Sequence, residues 1–372
     1  VIDRGPRDPS AVRTVVIGVP GNRRVQLFVD AAHSRGLPEP RVIGWDQIIA
    51  GRYGFEAGEI VRIDSPAEDP EVELAFRGAP DSTRVENSRL WYRRFLSAVH
   101  AIVVRVEAAG AELLTHPDDI AAMFDKRRTH AILDSAGVRV PPALPGAVTG
   151  WDDLESRLRD AGMRRVFVKL AHGSSASGVI ALQLGPGGAV HATTSVEIDD
   201  QGRLFNSLRV RTYRTRAELA AVIDPLATDG LHVERWLPKA SLNGRVADVR
   251  VVVIGGTATH AVVRTSTSPM TNLHLGGARG SLGEAMAAAG TRWSGLLETA
   301  EQAARCFPRS AAVGVDVLPS IGWRDFAVAE VNAFGDLLPN LPGLPGTWAH
   351  GLDTYQAQVA HLIDTRGRQA AS

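Results

Sequence analysis

Apolar residues in this chain come in short runs cut by glycine, proline and polar turns, and the spacing of those runs changes along the sequence. "TVVIGVP" at 14–20 is the kind of apolar run that a strand buried on both faces requires. A turn at "PGN" follows, then a helix through "RRVQLFVDAAHSRG" that Gly36 closes. "RVIGW" at 41–45 predicts the next strand, and the strand–turn–helix–strand order predicts a small open α/β unit. The glycines of the first turn do not form GxGxxG, so a weak dinucleotide site and a plain tight turn both fit. "DSPAEDP" at 64–70 predicts a polar loop of the sort that touches ligand at the carboxyl end of a sheet. "SRLWYRRF" at 88–95 either grips an anion or is a helix with one apolar and one basic face.

"HPDDIAAMFDKRRTHAILDSAG" predicts one helix, with Asp118 near its N-cap and Gly137 as its stop, and "VRVPP" then breaks the chain as a hinge. From about residue 165 the pattern becomes hairpin-like. The runs "RVFVKLA", "GVIALQL", "LHVERWL", "DVRVVVIGG" and "THAVVR" alternate with glycine-rich turns and predict antiparallel strands. Two late helices, roughly 284–306 and 350–365, flank the strands "AAVGVDVL" and "FAVAEVN". The second half is therefore expected to be α+β.

Composition narrows the class. The 372 residues are enough for two or three domains, and 44% hydrophobic with 22% charged residues supports a sizeable core. Basic and acidic residues balance at 41 each, so no overall field favours nucleic acid or an anionic membrane. Only Lys126, Lys169 and Lys239 are lysines, which makes each worth inspecting. The single cysteine, Cys306, excludes an internal disulfide and a cysteine-based zinc site. No apolar run reaches 18 residues and the start lacks a signal-peptide core, so a cytoplasmic protein is expected.

Three stretches carry chemistry. In "VFVKLAHGSSASGVIAL" two strands flank a Gly/Ser loop whose backbone N–H groups can converge on phosphate, with Lys169 beside it; a flexible hairpin loop is the plainer reading. In "ADVRVVVIGG", Asp248 and Arg250 share a strand face, and the returning strand brings Arg264. The two guanidiniums suit a phosphoryl or carboxylate group, or else form a cross-strand salt bridge with Asp248. In "FAVAEVNAFGD", Glu330 and Asn332 share a face, together with Val328 and Phe334. If the strand carrying Asp316 is its antiparallel neighbour, the three side chains form an all-oxygen set suited to Mg²⁺, or a hydrogen-bonded network.

In this order, the pieces resemble the ATP-grasp superfamily. They are "DK" before a Gly-Val-x-Val-Pro turn, a strand lysine with a Gly-rich loop, "VERWLPK", "DVRVVVIGG", an Arg then "TNLHLGG", and Asp before "EVN". The likeness covers roughly 113–350 and is greatest to the branch with ribosomal-protein glutamate ligase and glutathione synthetase. It implies an α/β N-terminal domain over 1–112 and an α+β ATP-grasp domain over 113–372, with a mobile lid at roughly 140–236. By the same resemblance Lys126 and Lys169 would contact ATP phosphates, Lys169 also lying near the adenine, and Gly173, Ser174, Ser175 and Gly178 would belong to a flap over them. Glu234, Arg235, Trp236 and Leu237 would line the adenine pocket, Asp248 would lie near the nucleoside and Asn272 near the phosphates. Arg250 and Arg264 would stabilise the transferring phosphoryl group, and Asp316, Glu330 and Asn332 would hold two Mg²⁺ ions, with Mn²⁺ as a substitute. The chain departs from the family pattern at Met270 and Leu275, where arginines are usual, so one positive charge near the phosphates is missing. Asp336 and Asn340 replace the usual continuation and are candidate substrate contacts; the departures point to a separate bacterial branch.

The resemblance implies a ligase that joins a carboxylate to an amine (or thiol) through an acyl phosphate, with an amino acid or peptide as acceptor and a homo-oligomeric assembly. The alternatives are a small-molecule kinase on the same fold and a non-catalytic nucleotide-binding partner protein. No Ser-His-Asp or Cys-His signature stands in the chain, and the ligase reaction needs no side-chain nucleophile.

Overall fold

A computed structural model gives the fold and describes residues 11–66, 69–173, 177–334 and 340–369. Three sheets follow one another along the chain. The first holds β1 (Thr14–Gly18), β2 (Arg41–Gly44), β3 (Ile60–Ile63) and β4 (Glu112–Leu113), all parallel, in the order β2-β1-β3-β4. Every residue of β1 is buried, as a central parallel strand demands. Asn22 caps the helix Arg23–Ser34 by accepting from the Arg24 N–H, so the first turn serves a helix start. Trp45 opens a short helix, Trp45–Ile49, instead of ending a strand.

"SRLWYRRF" opens the helix Ser88–Ala109, with Trp91 and Phe95 buried and Arg93 and Arg94 exposed. The amphipathic reading holds. Phe95 meets the rings of Trp45, Phe76, Trp91, Phe124 and Phe334 at centroid distances of 5.0 to 6.4 Å. This ring cluster ties the first sheet's helices to the chain that follows the last strand.

The helix expected across 116–137 is two helices, Pro117–Met123 and Lys126–Ser135. Asp125 breaks it, because its carboxylate accepts the N–H groups of Arg127 and Arg128 and starts a new helix. Lys126 consequently sits on a first turn instead of mid-helix.

The second sheet is antiparallel, in the order β8-β7-β6-β5-β9: β5 (Arg165–Leu170), β6 (Ile180–Leu184), β7 (Val190–Ile198), β8 (Leu204–Tyr213) and β9 (Leu231–Arg235). The apolar pattern does not mark β7 and β8, whose Thr, Ser and Arg content hides the alternation. Helices Trp151–Asp160 and Arg216–Asp229 pack on this sheet. A segment from the first unit also reaches it: Asn206 N–H donates to Thr83 O at 2.7 Å, Val85 N–H to Leu204 O at 3.0 Å, and the Val85 side chain is fully buried in this core.

The third sheet has the order β13-β12-β11-β14-β15, with β10 (Ser241–Leu242) beside β11 (Arg245–Ile254), then β12 (Thr257–Ser266), β13 (Ala278–Arg279), β14 (Ala312–Pro319) and β15 (Phe326–Asn332). Its neighbours are antiparallel. Val249, Val251, Val253, Val313, Val315 and Val317 form one core with Leu296, Ala300 and Ala303 of the helix Trp293–Arg305. The helix expected over 284–306 is broken at Gly290 (φ 57°), after Leu282–Ala289. On another core, Val252 and Ile254 meet Ala349 and Ala357, the latter in the helix Thr354–Gln369. No helix among the described residues is long and apolar enough to cross a membrane. Phe95→Ala is expected to lower the unfolding free energy by about 3–5 kcal/mol, read from urea unfolding followed by tryptophan fluorescence.

Candidate functional site

The third sheet carries a stripe of charge across four strands. Asp248 and Arg250 share a face of β11 by the two-residue period. Arg264 stands opposite Asp248 on β12, Asp316 opposite Arg250 on β14, and Glu330 opposite Asp316 on β15. Arg250 donates to both oxygens of Asp316, through Nε and, at 2.8 Å, through Nη2. Arg264 Nη2 reaches the same carboxylate at 3.1 Å while its Nε donates to Asp248 at 2.7 Å. The arginines therefore converge, but as a buried network; Arg250 takes Asp316 as partner and not Asp248. Burial alone would raise the Asp316 carboxyl; Arg250 and then Arg264 outweigh it and hold it well below the usual range. Burial likewise works against the charge on Arg264, and Asp248 and Asp316 reverse the effect, so its affinity for its proton rises.

Glu330 reaches this face through a bulge. Val317 pairs with Val328 but Asp316 pairs with Glu330, so β15 carries one extra residue, Ala329. Val328 and Val331 are both buried in the apolar core, three residues apart. Val328 thus departs from the face expected for it, whereas Glu330 pairs with Asp316 and Asn332 with Gly314 two residues further along. A regular strand would have kept Val328 on the side of Glu330 and cost either the core contact or the carboxylate's place. Phe334 packs on Phe124 beyond the strand end.

The second sheet faces this stripe with its own charges. Lys169 on β5 donates to Glu234 on β9 at 2.5 Å, and His232 Nε2 lies 3.0 Å from the other Glu234 oxygen. Burial would raise the Glu234 carboxyl; the Lys169 ammonium outweighs it and brings the pKa down to about 2. Burial lowers His232, so its imidazole is neutral at pH 7 and Nε2–H donates to Glu234. The Lys169 ammonium is buried too, but Glu234 first and Glu330 next raise its pKa. Lys126 bridges the two sheets, donating to Gly173 O at 2.7 Å and to Glu330 at 2.6 Å. Both glycines of the loop are sterically required. A Cβ at Gly173 would stand 2.9 Å from Ser177 O, and Gly178 has φ 70° with Leu170 2.7 Å from such a Cβ.

After Glu234 the chain turns outward. Arg235 is exposed, and Trp236 lies under the Arg165 guanidinium at 4.0 Å. The N–H groups of Arg235 and Trp236 donate to Pro142 and Arg165, while that of Leu237 has no acceptor among the described residues. Asp248 serves as an anchor, accepting from Arg264 and from the Thr271 hydroxyl, with Lys239 at 3.8 Å. Asn272 turns the next loop by accepting the N–H groups of Leu275 and Gly277 on its carbonyl. Ser174, Ser175 and Asp336 lie outside the described residues; Asn340 is exposed, with φ 59°.

Lys239 is a site residue to which sequence reasoning assigned no role. Its ammonium donates to Thr271 at 3.2 Å, and burial lowers its pKa. All three lysines of the chain thus meet at one place, and their scarcity in the sequence was the signal. His232 was missed as well, since its histidine sits in an apolar run like a core residue.

Among the described residues, Lys126, Lys169, Lys239, Arg250 and Arg264 face four carboxylates, Glu234, Asp248, Asp316 and Glu330, so that set carries more positive than negative charge. Such a site suits a polyanion. Among the described residues no group of three or more His, Cys, Asp or Glu is arranged for a metal. Asp316 and Glu330 stand in register, paired with Arg250 and Arg264 and with Lys126 respectively, and Asn332 Nδ2 donates to Gly314 O at 3.3 Å; their oxygens are the donors that would suit a hard cation. The donor chemistry fits Mg²⁺. A cavity between the sheets is lined by Met123, Lys126, His130, His232, Glu234 and Glu330, among others.

No family model matches the chain and no curated protein does. Solved structures do. The ATP-grasp ligase PsnB complexed with a minimal precursor matches with TM-score 0.56 at 16% identity, over 95% of this chain and 99% of that one. The D-cycloserine synthetase DcsG matches with TM-score 0.55 at 16% identity and the same coverage. The macrocyclase MdnC of Microcystis aeruginosa, bound with precursor peptide MdnA, matches with TM-score 0.54 at 11% identity, again over 95% and 99%.

The Lys169–Glu234 pair gives a pH test. An unfolded glutamate protonates near 4.5, the folded one near 2, so the pair's contribution is full above 4.5 and is lost as pH falls through 2. Glu234→Gln is expected to lose about 3 kcal/mol at pH 7. The gap between wild type and variant should shrink by pH 3, as measured by denaturant unfolding at both pH values.

Proposed function

We propose that this chain, which has the ATP-grasp fold, is an ATP- and Mg²⁺-dependent ligase that joins a carboxylate to an amine. The observation that carries the reading is the gathering of all three lysines and two buried arginines around four carboxylates, two of them, Asp316 and Glu330, in register on neighbouring strands. A binding-only protein needs less charge, and a hydrolase with a side-chain nucleophile needs a different set.

In this reading the nucleotide lies between the second and third sheets. Its base sits in the cavity lined by Met123, His130 and His232, with the Leu237 N–H as a backbone donor. Lys126 and Lys169 exchange their carboxylate partners for phosphate oxygens, and the Gly173–Gly178 loop covers them. Bound Mg²⁺ supplies charge neutralisation at the phosphates, held by Asp316, Glu330 and Asn332. Arg250 and Arg264 sit on a rigid sheet with their guanidiniums already oriented by Asp316, so they stabilise developing charge with little reorganisation.

A substrate carboxylate oxygen attacks the γ-phosphorus, the bond to the β-phosphate oxygen breaks, and ADP leaves with that electron pair. An amine then attacks the acyl carbon and the carbon–oxygen bond to phosphate breaks. Phosphate departs and the amine's proton goes to it or to water, which leaves the amide. The acceptor is an amino acid or peptide; PsnB complexed with precursor peptide PsnA2 and MdnC bound with precursor peptide MdnA support including peptides. Lys239 supplies the positive charge that Met270 and Leu275 do not, because its ammonium reaches Thr271 beside Met270.

The test is a phosphate-release screen with Mg²⁺-ATP over pairs of carboxylates and amines, free amino acids and short peptides included. Release that depends on the amine is expected. A stable phosphorylated product without free phosphate would replace the ligase by a kinase. Arg250→Ala and Glu330→Ala are each expected to lower turnover by at least about 10²-fold. Lys239→Met should raise KM for ATP more than it lowers kcat.

A further inference from the structure

Beside Lys126 two three-residue segments lie against each other. Phe124, Asp125 and Lys126 span the break between the helices Pro117–Met123 and Lys126–Ser135, and Ala171, His172 and Gly173 follow the end of β5. Lys126 ties the segments twice. Its backbone N–H donates to Ala171 O at 2.9 Å, and its ammonium donates to Gly173 O at 2.7 Å. His172, between those two acceptors, adds a third tie, with its Nδ1 3.3 Å from Phe124 O. A carbonyl oxygen can only accept, so Nδ1 carries the proton and donates.

The His172 ring is also fixed across its face. It stacks on Tyr92 of the helix Ser88–Ala109, with centroids 3.9 Å apart and planes at 10°. Tyr92 is anchored in turn, its hydroxyl donating to Ala121 O at 2.8 Å. His172 is 8% exposed, and burial lowers its pKa. The Asp125 carboxylate, 4.0 Å from Nε2, works against burial, while Arg127 and Lys126 work with it, so the ring is neutral at pH 7.

In the nucleotide reading Lys126 gives up Gly173 O and Glu330 for phosphate oxygens. Among the described residues, the side-chain contacts then left between the two segments all come from His172. Lysine's stem is long and flexible, so its ammonium meets a phosphate at a fixed place only if the origin of the stem is held. We propose that His172 is a positioning residue for Lys126. Its Nδ1–H and its stacked ring hold the start of the Lys126 helix against the end of β5 while the ammonium changes partner. β5 also carries Lys169, so the same tie sets the spacing of the two lysines. This role rests on the reading of Lys126 as a phosphate ligand.

Binding of the Mg²⁺ complex of AMPPNP to the full-length protein is measured by calorimetry, with melting temperatures taken without nucleotide as the control for folding. His172→Phe keeps a ring against Tyr92 and removes the donor; it is expected to weaken binding about fivefold, the worth of one hydrogen bond. His172→Asn places an amide nitrogen as many bonds from the backbone as Nδ1 and should restore most of the affinity. His172→Gln, whose nitrogen stands one bond further out, should not. In a Lys126→Met background there is no ammonium to place, so His172→Phe should leave the affinity unchanged. Tyr92→Leu removes the stack and keeps the donor; it should weaken binding only where Lys126 is present, and it replaces His172→Phe if that variant does not fold. Where Lys126→Met binds too weakly to measure, the contrast between the Asn and Gln variants decides. Equal losses with and without Lys126, or failure of His172→Asn to do better than His172→Gln, overturn the proposal and leave the wild-type nucleotide site standing. A wild-type protein that does not bind Mg²⁺-AMPPNP removes the nucleotide reading itself, and this role with it.

Discussion

Everything at the charged stripe depends on keeping Asp316 ionised in a buried place. A lone carboxylate there would take up a proton. Two guanidiniums from two different strands prevent this, and each has a further anchor or geometric support: Arg264 through Asp248, Arg250 through a two-point grip. Buried charges are costly to leave unpaired, so no member of the set moves alone. The strands that carry them are fixed from behind by the valine layer and the helix Trp293–Arg305. A polar network of this kind gains its precision from the apolar core on the reverse side of the same sheet.

Arginine and lysine divide the work by position. The arginines stand on one sheet, where planar forks lock onto carboxylates and stay charged. The lysines stand where elements meet. Lys126 spans from a helix start to Gly173 and to β15, and Lys169 lies on the second sheet but feels Glu330 and Asp316. Lysine's compact charge on a long stem tolerates a change of partner better than a bidentate fork does. The segment around Val85, pinned between the first unit and the second sheet, limits how the second sheet can sit relative to the rest.

Much of this was legible in the chain because it is local. The two-residue period placed Asp248 with Arg250 and Glu330 with Asn332 on shared faces, and Gly/Ser composition marked the loop after Lys169. The order of those pieces led to the ATP-grasp resemblance, and the fold agrees. The split at Asp125 was less visible, since "FDKRRTH" continues a helical pattern and only the carboxylate's choice to cap Arg127 and Arg128 ends it. β7 and β8 were hidden because strands with polar residues on a solvent-facing side lack an apolar signature.

The sequence by itself determined most of the strands and helices, the shared faces of Asp248 with Arg250 and of Glu330 with Asn332, and the stock of oxygen and cationic groups, because these follow from spacing between near neighbours. Tertiary structure alone decided which of them meet. The extra residue at Ala329 turns Val328 to the core and Glu330 to Asp316, which no alternation rule foretells. Lys239 joins Thr271 across 32 positions, and Arg62 meets Gln358 across 296. Contacts over such distances are chosen by packing of whole sheets and helices, where the cost of an unpaired buried charge selects the partner.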